Sequence, residues 1–261
     1  MSFFKKTLAS LGIGSARVDT ILKQDVVYPG QSVAVDVHVY GGATKQSIDN
    51  IHLKLCCRYQ MERRNQDDRQ MPGQKVAKTY VLAKWSLPET FDIEPQQDRV
   101  FSVVLDVPWN TPITLGDSKV WLETSLDIAL ASDPTDKDEI TVRPDPLEDG
   151  IFSALEEAGL RIRQVECEAV KGFDLPFVQE FEFVPVHGEF HGRWRELEIV
   201  TYRSQDDLTI WFEVDRQKKG MGGMLSNLIG GHKLKRELVL QHDEDPKAAG
   251  NKVIAFLDQS S

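Results

Sequence analysis

Between Gln31 and Tyr40 the chain reads Gln-Ser-Val-Ala-Val-Asp-Val-His-Val-Tyr, which places Val33, Val35, Val37 and Val39 on one face of an extended segment. The same period of two returns in Leu53, Leu55, Cys57 and Tyr59, and again in Val120, Leu122, Leu126 and Ile128. This alternation predicts strands at about 15–22, 24–28, 32–40, 49–60, 75–85, 99–107, 119–129 and 139–142. Tyr28-Pro29-Gly30-Gln31 has the residues of a tight turn. No helical pattern of ordinary length separates the strands, which favours antiparallel sheets over a parallel sheet that would need crossover helices.

The pattern changes at the acidic stretch from Ala131 to Glu139, which contains Pro134, and at Arg143-Pro144-Asp145-Pro146. Together they predict a linker between an N-terminal domain, 1–142, and a C-terminal domain, 143–261. Asp133, Asp136 and Asp138 lack the glycine and the distant glutamate of a calcium loop, so they read as a solvated turn. Leu147, Ile151, Leu155 and Ala158 then recur at helical spacing and predict a helix at 147–158, ended by Gly159. Strands resume at about 160–169, 177–184, 189–203, 207–215 and 233–241, with Phe177, Phe181 and Phe183 as large apolar anchors. Asp245-Pro246 opens a last helix toward Leu257, against which Gly250 counts. The expected fold is mainly β, two antiparallel β-sandwich domains with a few short helices.

Charge narrows the partners. With 31 Lys and Arg against 41 Asp and Glu the formal charge is -10, which opposes attachment to phosphate backbones, so nucleic acid is not an expected partner. Cys56 and Cys57 are neighbours on a strand and point to opposite faces; with Cys167 they read as reduced thiols, without zinc spacing. The sequence contains neither a bilayer-length apolar run nor an export-type start, and a soluble cytoplasmic location is expected. Near the N-terminus, Phe4, Leu8 and Leu11 form a short apolar stripe beside Lys5 and Lys6. The spacing predicts a short amphipathic helix over 2–11, ended by Gly12, with Phe3, Phe4, Lys5 and Lys6 as the candidate membrane contact, although docking of this helix on its own sandwich is preferred.

Candidate chemistry is sparse. On an extended strand His187, Glu189 and His191 would project to one face and suit a first-row metal, but flanking glycines break strands, and a polar hairpin is the preferred reading. Residues 220–231 are glycine-rich yet lack the Gly-Lys-Ser/Thr ending of a phosphate loop. They carry Met224, Leu225, Leu228 and Ile229 instead, an apolar hairpin tip that either folds back or docks a partner. Nucleophile-elbow and metalloprotease motifs are absent from the sequence. No catalytic, cofactor-binding or metal residue is assigned.

Several stretches resemble the bacterial sporulation-control family of the stage 0 control protein M type. They are Met1-Ser2-Phe3-Phe4-Lys5-Lys6, Leu11 to Ala16 with Val18-Asp19-Thr20, Tyr28-Pro29-Gly30, Thr111-Pro112-Ile113, Lys119 to Thr124, Leu126 to Ala129, Asp133-Pro134 with Asp136 and Asp138, and Leu175 to Phe183. The resemblance implies an arrestin-like pair of β-sandwiches. It also implies a regulatory protein without enzymatic activity, a scaffold whose partners are other proteins; no cofactor is expected, and the open edge strands of an antiparallel sandwich add a homodimer to the options. A peripheral membrane adaptor is the alternative.

Overall fold

The computed structural model describes residues 14–63, 74–87, 90–129, 133–215 and 236–259. The candidate contacts Phe3, Phe4, Lys5 and Lys6, and the candidate docking residues Met224, Leu225, Leu228 and Ile229, lie outside the described residues.

The chain is mostly β. In the first half the valine-rich strand β3 (Ser32–Tyr40) lies between β1 (Arg17–Leu22) and β7 (Asp98–Asp106), antiparallel to both. Val33, Val35, Val37 and Val39 are buried, as their alternation requires. They face a second sheet built on the long strand β4 (Gln46–Arg63). One side of β4 pairs with β5 (Gln74–Leu87) and the short β6 (Phe91–Ile93). The other side pairs with β8 (Val120–Ile128), and β8 in turn with β9 (Thr135–Glu139). Two short strands, β2 (Val26–Val27) and β10 (Thr141–Val142), pair in parallel.

The segment expected to be a solvated linker is thus partly a strand. Charge misleads there, because its carboxylates satisfy backbone donors: Asp136 accepts from the Thr20 amide at 2.8 Å, and Asp133 from the Ile128 amide at 3.2 Å. Lys137 lies 3.9 Å from the centre of the Trp121 ring, so this edge strand also covers an aromatic face.

In the second half, helix α1 (Pro146–Glu157) falls where helical spacing predicts one. Strands β11 (Leu160–Ala169), β12 (Phe177–Pro185), β13 (Glu196–Arg203), β14 (Asp207–Asp215) and β15 (Glu237–Gln241) follow as an antiparallel series. Phe181, Phe183, Leu197, Ile199, Ile210 and Phe212 form one buried core with Leu147, Ile151 and Leu155 of α1 and Val253 and Leu257 of α2 (Pro246–Gln259). Gly250, unfavourable for a helix in isolation, is required by this packing. A Cβ there would stand 2.7 Å from the Ala154 Cβ and 2.8 Å from the Gly150 carbonyl oxygen, and one on Gly150 would stand 2.5 Å from the Pro246 oxygen.

The expected strand at 189–203 begins only at Glu196. Gly188 and Gly192 adopt positive φ (79° and 81°), and the chain turns so that the rings of Phe190 and Trp194 stack at 4.2 Å. The two halves are continuous through β4. Beyond Cys57, where its pairing with β8 ends, Gln60 pairs in parallel with Glu168 of β11. Lys75 of β5 reinforces that handover through Glu166 and Glu168, at 2.6 and 2.5 Å. Cys57 and Cys167 are buried here, and the Cys167 sulfur lies 3.5 Å from the Ser118 hydroxyl.

Candidate functional site

Where the two cores meet, a cluster of charged and amide side chains is buried, Asp145, Glu148, Arg203 and Gln179. The starting point is a local rule: Asp145 precedes Pro146, and an acid followed by proline opens a helix well. One oxygen of Asp145 accepts from the amides of Leu147 and Glu148, at 2.8 and 3.1 Å. Its other oxygen accepts from Nε of Arg203, the last residue of β13, at 2.7 Å. Both side chains are nearly sealed from solvent, 5% exposed for Asp145 and 4% for Arg203. The guanidinium also meets Nδ1 of His242 at 2.8 Å and lies 5.1 Å from the centre of the Trp109 ring.

The loop between β7 and β8 closes the arrangement from the first half. Trp109 is seated on Gly30, where any Cβ would stand 2.3 Å from its ring. Next to it, the Asn110 side-chain amide behaves as a short piece of strand. Its oxygen accepts from the Arg203 backbone amide at 2.8 Å and its nitrogen donates to the Arg203 carbonyl at 2.7 Å. A second amide makes the same clasp in the opposite direction. Gln179 of β12 accepts from the Ile113 amide at 2.8 Å and donates to the Ile113 carbonyl at 2.7 Å, with a further bond to the Ser118 hydroxyl at 3.0 Å. Each half therefore lends one amide to the backbone of the other.

Glu148 is buried beside this network. Burial first, and the neighbouring Asp145 second, push its carboxyl up to about 7, while the Thr201 hydroxyl and Arg203 act in the opposite sense. Around these groups lies a recess with Trp109, Asn110, Glu148, Thr201, Tyr202 and Arg203 in its wall. What the arrangement does chemically is hold: two bidentate amides tie the halves together, and a buried ion pair beside them anchors the start of α1 to β13.

The sequence-level candidates lie elsewhere. His187 and Glu189 fall in a bend and a turn, exposed, and His191 is tied through Nδ1 to the Pro185 carbonyl at 3.0 Å. Their common strand face does not form. Trp121 and Trp194 are buried. Sequence reasoning passed over Arg203, Asn110 and Glu148, which carry no motif, and reached Gln179 only as part of a segment of family resemblance. The usable signals were the Asp145-Pro146 cap and the segments of family resemblance, because Pro29, Thr111, Pro112, Ile113, Phe177 and Gln179 all converge on this junction.

Comparison with known proteins agrees over nearly the whole chain. The family described as Spo0M: SpoOM protein matches residues 4–218. The sporulation-control protein spo0M of Bacillus subtilis (strain 168) is 37% identical over 263 residues, covering 99% of each chain. The crystal structure of Spo0M, sporulation control protein, from Bacillus subtilis superposes with a TM-score of 0.82 at 33% identity, covering 95% of this chain and 100% of that one. The chain belongs to the Spo0M family.

Proposed function

We propose that the chain is a non-enzymatic regulatory protein of the sporulation-control type, arrestin-like and cytoplasmic, which acts by binding other proteins. The observation that supports this reading is the junction itself. Two side-chain amides, Asn110 and Gln179, spend their hydrogen bonds on holding the backbone of one half against the other, beside the buried Asp145–Arg203 pair, as a scaffold needs. A rigid pair of cores presents surfaces at a defined angle, and regulation then rests on which protein those surfaces hold. We assign the 1–142 and 143–261 portions as the two domains of this scaffold, with Met224, Leu225, Leu228 and Ile229 as a docking segment, since methionine and leucine side chains repack around varied shapes.

The test replaces Met224, Leu225, Leu228 and Ile229 with Ser in the full chain and compares captured proteins by cross-linking in native lysate. Loss of a specific partner with an unchanged melting temperature is the expected result. Retention of every partner would remove the segment from the reading. Co-sedimentation of the wild type with anionic vesicles, lost on changing Phe3 and Phe4 to Ser, would replace it with the membrane-adaptor alternative.

A further inference from the structure

The two edges of the sheet β1-β3-β7 are finished differently. On β3, the Ala34 carbonyl accepts from Lys23 on the β1 side, whereas the bonds of Gly30 and Gln31 to Val107 lie on the β7 side. Backbone groups of a strand alternate in direction, so the odd-numbered residues of β7 bond to β3. Asp98, Val100, Ser102, Val104 and Asp106 turn their N–H and C=O groups outward, and no strand pairs with that side among the described residues. The same alternation turns the Thr20 amide outward on β1, and there the Asp136 carboxylate closes the edge. Among the described residues nothing comparable closes β7, whose outer face carries Val100 and Val104 at 48% and 64% exposure.

We propose that β7 is a docking edge for an extended peptide of another protein, antiparallel to it, with apolar residues opposite Val100 and Val104 and a Lys or Arg opposite each of Asp98 and Asp106. This deepens the protein-binding reading above and rests on it. The charges select the occupant. Asp98 and Asp106 are both exposed and mark the two ends of the nine-residue strand. A second copy paired about Ser102 would set Asp98 against Asp106 at both ends, between chains each of charge -10. A peptide with basic ends turns both repulsions into attractions, gains the five outward residues as a hydrogen-bonding ladder, and covers the two valines.

The probe is the peptide acetyl-Lys-Thr-Val-Thr-Ser-Thr-Val-Thr-Lys-amide, titrated into the full chain and followed by amide shifts and hydrogen exchange. Expected are protection at Val100, Ser102 and Val104, and affinity weakened about tenfold when Glu replaces the terminal lysines, since each end then sets like charges opposite each other. Val104→Pro removes an outward N–H that β3 does not use, so it should abolish binding while the melting temperature holds. The double variant Asp98→Lys, Asp106→Lys should prefer the Glu-ended peptide, which tests the proposal even if the proline variant fails to fold. Absence of binding, equal affinity for both peptides, or shifts confined to other strands would overturn the proposal. A wild-type dimer that Val104→Pro converts to monomer would also overturn it, in favour of a second copy as occupant. Loss of lysate partners on changing residues 224–229, with no peptide bound at β7, would sink this inference and leave the protein-binding reading standing.

Discussion

Helix α1 takes part in two seams that meet the rest of the molecule in opposite ways. Along its middle it touches α2 through Gly150 and Gly250, where no side chain fits between the backbones. At its N-terminus it meets β13 and the loop after β7 through Asp145, Glu148, Arg203 and Asn110. The first seam is set by the close approach of backbone at these two glycines. The second depends on charge state and on each amide finding both of its partners, so it responds to protons.

Four substitutions probe that contrast. Arg203→Ala should be the most damaging, by about 3–5 kcal/mol, because it strands the buried Asp145 carboxylate. Urea unfolding measures it, and Arg203→Met combined with Asp145→Leu should recover part of the loss. Glu148→Gln comes next, with the opposite sign. The folded carboxyl is raised from 4.5 to about 7, so between those values the unfolded chain releases a proton that the native one keeps, and stability falls as pH rises. At pH 8 the glutamine variant should therefore be the more stable, by up to roughly 3 kcal/mol, with no such advantage near pH 4. Thermal melts across pH check the sign. Glu180, pushed up to about 8 mainly by burial and then by Glu198, should leave a residual slope of the same sense in the variant.

Gln179→Ala removes both bonds to Ile113 and should cost about 2 kcal/mol, independent of pH. Gly250→Ala is the smallest. Crowding against Ala154 costs about 1–3 kcal/mol, offset by the roughly 1 kcal/mol that alanine gains over glycine in a helix. A pH-dependent effect of Gly250→Ala would break the contrast between the seams.

The strands were legible because their burial follows a period of two. The valines of β3 and the leucines of β4 declare their inner face without reference to anything distant. Helix α1 was legible from its spacing and from Asp145-Pro146. Most of what failed shares one cause. Gly250 reads as a helix breaker until Gly150 is placed against it, and the acids of 133–138 read as a linker until Thr20 and Ile128 are placed beside them. The junction is the extreme case. Asn110 and Arg203 are 93 positions apart, and Ile113 and Gln179 are 66 apart, with no local period to betray either pair. The candidate at 187–191 erred in the other direction, since its alternation presumed an extended chain that two positive-φ glycines deny.

The buried thiols beside the handover from β8 to β11 make this seam a clock. Burial raises Cys57 strongly and holds Cys167 at about 11, so neither forms a thiolate while the fold is closed. A thiol reagent must therefore wait for β4 and β11 to part, and its rate of uptake counts openings rather than chemistry. Labelling followed by mass spectrometry would then time the separation of the two halves in the unmodified protein, with no engineered probe. Arg203→Ala should quicken that clock, and raising pH from 5 to 8 should do so too after correction for the reagent's own pH dependence.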